Sequence, residues 1–258
     1  IETDSVAMDH QIDVLFVYSS EFAAIYGDSA PLKIQQLLNV TNQSFQDSDL
    51  SVEFLLADAV EISVDPSTSI DDLLDAITCD LGALSATGEC TRGEGFESLS
   101  AIREASSADI VTYIRPYISA YSNRCGLGWV AGDGNGGDLR NPLWAETAFS
   151  VVHVDGPCSD WTLAHEIGHN AGLRHGALQD SEGGTYAWAW GYGEENKFGT
   201  LMTYPWLYGH GTSKIYHFSN PELPCGDSQC GIPIGEPMAA DAAQTLRDTI
   251  PYIKNYGR

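Results

Sequence analysis

The chain has 258 residues, 36 acidic against 12 basic, which gives a formal charge of −24 and a pI near 4.3. Such a surface repels phosphate backbones and anionic lipid and so excludes nucleic acid as a natural partner, while 43% hydrophobic residues are enough to fill a core and argue against a disordered or repeat-built chain. No stretch approaches the roughly 18 to 20 consecutive apolar residues of a membrane span, so no membrane insertion is expected.

Taken in chain order, the sequence begins at Ile1 with neither an initiator methionine nor a basic and apolar leader, as expected of a mature, exported form. QIDVLFVY at 11–18 reads as a buried strand, and Pro31 stands at the first position of a helix running to about residue 47. SVEFLLADAVEISV at 51–64 alternates as a strand, a helical stretch covers about 97–107, and DIVTYI at 109–114 is a third strand. CGLGWV at 125–130 suggests a short edge strand, AGDGNGGDLRNP a glycine-rich loop, and AFSVVHV at 148–154 another strand. Asp160 is positioned to cap a helix that must end at Gly172. From 176 to 237 glycine, proline, tryptophan and tyrosine dominate, with Tyr186, Trp188, Trp190 and Tyr192 alternating like a strand. An amphipathic helix from 239 to about 256, which Pro251 would kink or shorten, ends the chain. This order predicts an α/β (α+β) chain: a twisted mixed sheet with helices in an N-terminal lobe of residues 1–172, a small loop-rich C-terminal lobe of residues 173–258, and a cleft between them. Without repeats or linkers the whole reads as a single unit, expected to be a monomer.

Six cysteines, at 79, 90, 125, 158, 225 and 230, include no C-x-x-C pair. Three disulfides in a secreted protein are the expectation, with the sequence-local pairing Cys79–Cys90, Cys125–Cys158 and Cys225–Cys230 chosen from 15 possible connectivities.

The chemistry concentrates in HEIGHNAGLRH at 165–175. His165 and His169, four apart on a helix, place both imidazoles on one face, and Gly172 lets the chain turn so that His175 returns as a third ligand. Three neutral imidazoles with one open position suit a catalytic Zn2+, with Glu166 beside them as general base for a water acidified by the metal. His10, His153, His210 and His217 lack ligand spacing and read as surface or packed residues. Asp133, Asn135 and Asp138 in DGNGGD invite a Ca2+ reading, although the EF-hand pattern fails at Gly137 and Trp144.

The 11-residue motif resembles the metzincin signature, which is followed downstream by a methionine turn. TLMTYP at 200–205 supplies Met202 with Tyr204 two positions on, similar to the turn of astacins and serralysins, whereas reprolysins of the venom type usually carry proline there. HFSNPELP at 217–224, GIPIG at 231–235, ADAAQTL at 240–246 and the opening IDVLFVYSS resemble bacterial reprolysin-like proteases, including the peptidyl-Asp metalloendopeptidase group. One departure is Gly176, where reprolysins often have aspartate after the third histidine. The resemblance implies a metzincin-like, secreted zinc endopeptidase acting on proteins or peptides. It implies a packing role for Met202 beneath the histidines, and for Tyr204 a place as resting metal ligand and donor to the reaction intermediate. It also implies that a substrate adds as a strand along Gly126, Leu127, Gly128 and Trp129. An aspartate preference would call for a cation from among Arg140, Arg174, Lys197 and Lys214, the only basic residues between 126 and 246. The competing expectation is a catalytically idle binding protein or adhesin that keeps the fold, against which the intact Glu166 argues.

Overall fold

The computed structural model describes residues 9–257. Strand β1 (His10–Tyr18) leads into helix α1 (Ser20–Tyr26) and the long helix α2 (Ala30–Asp47), which begins with Pro31 in its first turn, where a missing N–H costs nothing. Strand β2 (Val52–Glu61) is followed by helices α3 (Ile70–Ile77), α4 (Leu81–Thr87) and α5 (Leu99–Ser106) and by strand β3 (Ile110–Pro116). Ser69 caps α3 by accepting from the Asp72 amide and donating to its carboxylate. Strands β4 (Gly126–Gly128) and β5 (Phe149–Val154) then precede helix α6 (Thr162–Asn170).

These strands form one sheet in the order β2-β1-β3-β5-β4. The first four are parallel, and β4 closes the edge antiparallel to β5, with Gly126 opposite Val152, Leu127 opposite Val151 and Gly128 opposite Ser150. Every residue of β3 and β5 is buried, as expected for parallel strands covered on both faces. Alternation along β1 sends Ile12, Val14 and Phe16 into a core shared with Leu37 of α2 and Ile167 of α6. Leu15 and Val17 enter a second core with Leu73 and Ile77 of α3. The sheet is therefore layered between α2 and α6 on one side and α3 and α5 on the other, the mixed α/β architecture expected.

After α6, regular structure is sparse. Strands β6 (Gly193–Glu194), β7 (Phe198–Gly199) and β8 (Ser213–Lys214) form one small sheet, β9 (Asn220–Cys225) and β10 (Ser228–Cys230) a hairpin, and helix α7 (Ala242–Ile253) packs back on the first core through Leu246 and Ile250. Pro251 lies inside the last turn of α7 without ending it, and Asp241 caps its start through the Gln244 amide. The disulfides are Cys79–Cys90, Cys125–Cys158 and Cys225–Cys230, the local set expected. No helix among the described residues is long and apolar enough to cross a membrane.

Three local expectations are corrected. Asp160 does not cap α6, whose N-cap is Trp161 with no side-chain hydrogen bond; the Asp160 carboxylate instead accepts from Lys33 and Gln36 of α2. The alternating aromatics at 186–192 form no strand: the Ala189 amide turns back to Tyr186 O, and only a single bridge, Trp190 to Arg174, pairs the segment. Tyr186 and Trp188 instead stack on each other at 4.6 Å. Finally, α1, α3 and α4 are helices where the sequence analysis placed none.

Candidate metal centre and active site

Helix α6 presents His165, Glu166 and His169, and its end is built to bring in His175. The Leu173 amide donates to Gly168 O and the Gly172 amide to His169 O, a Schellman closure with Gly172 at φ +92°. Only glycine fits there, since a Cβ would come 2.7 Å from Thr185 Cγ2. The chain then doubles back, and the three imidazole rings converge with centroids 4.7 to 5.2 Å apart.

Each ring is oriented through Nδ1. His165 faces Leu201 O at 2.9 Å, His169 faces Leu173 O at 2.8 Å, and His175 faces the Asp180 carboxylate at 3.2 Å. These oxygens can only accept, so each Nδ1 carries the proton and each Nε2 keeps its lone pair, the tautomer a metal ligand requires. One nitrogen from each ring lies within 4.8 Å of the others, a spacing that fits a single ion. Burial, followed by the charge of neighbouring histidines, pushes the His169 imidazole down to about 3 and the His165 imidazole well below its usual range. Burial also lowers His175, against the pull of Asp180. Neutral nitrogen donors of this kind suit Zn2+. Two other groupings, His217 with Cys225 and Cys230, and Glu146 with Cys79 and Cys90, hold cysteines tied up in disulfides.

Glu166 is 4% exposed, and desolvation pushes its carboxyl up to about 8. Its place depends on the edge strand. Leu127 and Trp129 pack into the α3 side of the sheet, so Gly126 and Gly128 face α6. A Cβ on Gly126 would come 2.2 Å from Glu166 Oε1 and 2.7 Å from its Cδ, and one on Gly128 would come 3.3 Å from Oε2. The carboxylate therefore occupies space that two missing side chains leave open. Asn170 ties the same elements together by donating to Trp129 O and Phe149 O.

Met202 is fully buried, and a Cβ on Gly168 would lie 2.8 Å from its sulfur, so it packs against α6 between the two helix histidines. Tyr204 lies beside the triad, its ring 5.0 Å from that of His175 and stacked on Trp206 at 4.6 Å. Trp129 donates from Nε1 to Thr78 Oγ1 at the end of the edge strand.

The calcium expectation fails on contact geometry. Asp133 is paired with Arg174, Asp138 is held by Arg140, and the Asn135 amide donates to Asp138 O, so no oxygen cage for Ca2+ forms in this loop. The cations considered for an aspartate pocket are engaged. Arg140 and Arg174 hold these carboxylates, Lys197 pairs with Glu194, and Lys214 donates to the carbonyls of Thr200, Leu201 and Thr203. His153 proves fully buried, accepting from Arg115 Nε at 2.9 Å and bonded through Nδ1 to Arg124 O at 2.8 Å. Asp180, Asn170 and the Lys214 clamp are functional supports that no sequence motif announces. A side chain at Gly176 would collide with the Tyr208 hydroxyl at 2.4 Å, and the carboxylate facing His175 comes from Asp180, four residues further on.

Comparison with known proteins agrees with this geometry. The model of Metallo-peptidase family M12B, reprolysin-like, matches residues 9–231. A peptidyl-Asp metalloendopeptidase of Pseudomonas aeruginosa is 32% identical over 171 residues, covering 60% of this chain and 27% of that protein. One of the same name from Xanthomonas campestris is 26% identical over 239 residues, covering 92% of this chain and 50% of that protein. The chain thus spans half or less of the length of these relatives. Among solved structures, a chain described as "Structure of a chaperone-substrate complex" aligns with a TM-score of 0.65 at 20% identity, over 95% of this chain and 38% of that one, a likeness of fold alone.

Proposed function

The chain belongs to the reprolysin-like M12B metallopeptidase family, and from that premise we propose that it is a zinc-dependent endopeptidase acting on proteins or peptides. One observation carries the reading: the Glu166 carboxyl is buried beside three imidazoles whose Nδ1 atoms are all committed to oxygen acceptors. Burying a carboxyl without a partner costs stability, and a protein that kept only the fold for binding would have no need to carry that cost.

His165, His169 and His175 would hold the metal, which supplies a Lewis acid that acidifies water and polarises a peptide carbonyl. Glu166 takes a proton from the attacking water and returns it to the leaving amine. Tyr204, at the edge of the triad, donates a hydrogen bond to the oxyanion. The open edge of β4 pairs with the substrate backbone along Gly126, Leu127 and Gly128, which brings the scissile carbonyl over Glu166. We further read residues 1–258 as one catalytic unit. The three disulfides support export to an oxidising compartment.

The test is digestion of a proteome-derived peptide library by the zinc-loaded protein, with cut sites read by mass spectrometry. Cleavage abolished both by Glu166→Ala and by a zinc chelator is the expected result. Absence of cleavage with one zinc bound per chain refutes the endopeptidase reading.

A further inference from the structure

Two of the cysteine pairs lie where a third metal-ligating side chain meets them, and they differ in what that side chain is committed to. Glu146, against Cys79 and Cys90, is already engaged, its carboxylate facing Arg92 at 3.3 Å and Arg103 at 3.8 Å. His217, against Cys225 and Cys230, presents a donor. Its Nδ1 faces Phe218 O at 3.2 Å, an oxygen that can only accept, so the proton sits on Nδ1 and Nε2 keeps its lone pair. Nε2 stands 3.9 Å from Cys230 Sγ, and one atom from each of the three residues lies within 4.8 Å of the others. Two thiolates and an imidazole around one tetrahedral Zn2+ stand about 3.5 to 3.8 Å apart, so small side-chain rotations bring the three to that spacing.

While the disulfide is closed its sulfurs cannot serve as ligands, but the hairpin does not depend on that bond. Strands β9 and β10 pair through their backbones, with Ser228 opposite Cys225 and Gln229 opposite Pro224. The bond closes a sequence separation of only 5, against 11 and 33 for the other two, and so constrains the unfolded chain least. With Cα atoms 5.0 Å apart, the thiols released on reduction stay neighbours beside His217. Cys230 is fully buried and Cys225 nearly so, packed with Phe198, Ile215 and Leu223 in an apolar shell that strengthens the attraction of thiolate for a cation. His217 is half-buried and leaves an entry path.

We propose that the reduced hairpin is a second metal site, in which Cys225, Cys230 and His217 bind one Zn2+ with water in the fourth position. A dithiol donor transfers two electrons and two protons to the Cys225–Cys230 bond while its own sulfurs close to a disulfide, and the two protein thiols give up their protons as the ion binds. Sulfur and imidazole donors select Zn2+ over Ca2+ or Mg2+. The site stands independently of the peptidase reading, yet it is tied to the histidine triad through one residue: Leu201 donates from its amide to His217 O at 2.8 Å, and its carbonyl faces His165 Nδ1.

Co2+ is the probe, because a thiolate bound to cobalt gives a near-ultraviolet charge-transfer band that an all-histidine site lacks. The full chain is titrated with Co2+ before and after treatment with a dithiol that is then removed without oxygen, and alkylation read by mass spectrometry records which cysteines have opened. Reduction should add one ion per chain, and that ion should carry the band. His217→Ala, at a half-buried position that leaves every cysteine in place, should weaken the added ion by at least about 10- to 100-fold, the loss that even an outer-shell partner causes. The band should vanish in the Cys225→Ser, Cys230→Ser double variant and persist in the Cys79→Ser, Cys90→Ser one, with circular dichroism confirming the fold of each. Equal numbers of ions on the oxidised and reduced wild type, a hairpin disulfide that resists reduction in the folded chain, or a band of full affinity in His217→Ala overturns the proposal.

Discussion

Placing a methyl group on Gly126 is the sharpest perturbation the structure offers. In Gly126→Ala the new Cβ would lie 2.2 Å from Glu166 Oε1, 2.7 Å from Cδ and 2.8 Å from Cγ, all inside the 3.0 Å that real Cβ contacts respect. Rotating the carboxylate alone clears Oε1 but not Cγ, so the whole side chain must swing by about 1 Å, toward a helix and strand that already enclose it. Overpacking of this kind costs about 1 to 3 kcal/mol, less the roughly 0.5 to 1 kcal/mol gained by replacing glycine in a strand. The net loss of about 0 to 2.5 kcal/mol leaves the protein folded. Activity should suffer far more, since misplacing a catalytic group by about 1 Å costs on the order of 100-fold in rate. Gly128→Ala provides the internal contrast, because its closest contacts are 3.1 Å to Glu166 O and 3.3 Å to Oε2 and a few tenths of an ångström of relaxation suffices. The assay is kcat and KM on one peptide, with zinc content by mass spectrometry and stability by urea titration. We expect kcat to fall about 100-fold in Gly126→Ala, with zinc retained and KM little changed, and by less than tenfold in Gly128→Ala. A Gly126→Ala protein within threefold of wild type, or a Gly128→Ala protein hit equally hard, would refute the reasoning.

Other substitutions probe the supports of the site. Asp180→Asn removes the carboxylate from His175 Nδ1 and should weaken zinc binding about 10- to 100-fold in a competition titration while leaving the metal-free fold intact. Lys214→Met strips the donor from three carbonyls, one of which also orients His165, and should cost about 1 to 3 kcal/mol in urea unfolding together with zinc affinity; unchanged values for both would show that the clamp is idle. His153 reports on pH. Burial holds its pKa down at about 4 against the ordinary 6.5, so between these values the unfolded chain binds a proton that the folded one refuses. Its contribution is complete above pH 6.5 and is lost as the pH falls through 4, by about 3 kcal/mol. Urea titrations of metal-free wild type and His153→Gln at pH 7 and pH 4.5 should show the variant losing less stability on acidification than the wild type.

What the sequence discloses and what it conceals follow from the range of the interactions involved. The H-E-x-x-H spacing and Gly172 act within eleven residues, so helix period and a single left-handed turn suffice to foresee the convergence of the three histidines. β1, β3 and β5 were legible because a strand buried on both faces is a continuous apolar run. Asp160 misled because a good capping residue was drawn instead to Lys33 and Gln36, more than 120 positions away in sequence. Asp133 looked like a cation ligand because its partner, Arg174, lies 41 positions away in sequence, whereas the partner of Asp138, Arg140, stands only two positions on and was overlooked. Tyr186 to Tyr192 carry a strand's alternation, yet aromatic stacking and a tight turn account for it. The meaning of Gly126 and Gly128 was hidden for the same reason: an edge-strand pattern identifies the strand, but only the packed helix shows what fills the space beneath it.

The disulfide Cys125–Cys158 has a consequence for the stiffness of the site. Cys125 immediately precedes β4 and Cys158 stands four residues before α6, so their bond closes a loop with a sequence separation of 33 around β5 and ties together the two elements that enclose Glu166. Closing a loop of that size is worth about 3 to 4 kcal/mol in the entropy it removes from the unfolded chain. The closure adds to the pairing of β4 with β5 and to the Asn170 hydrogen bond to Trp129 O, which hold the same edge. The bond therefore stiffens the wall of the site as well as the fold.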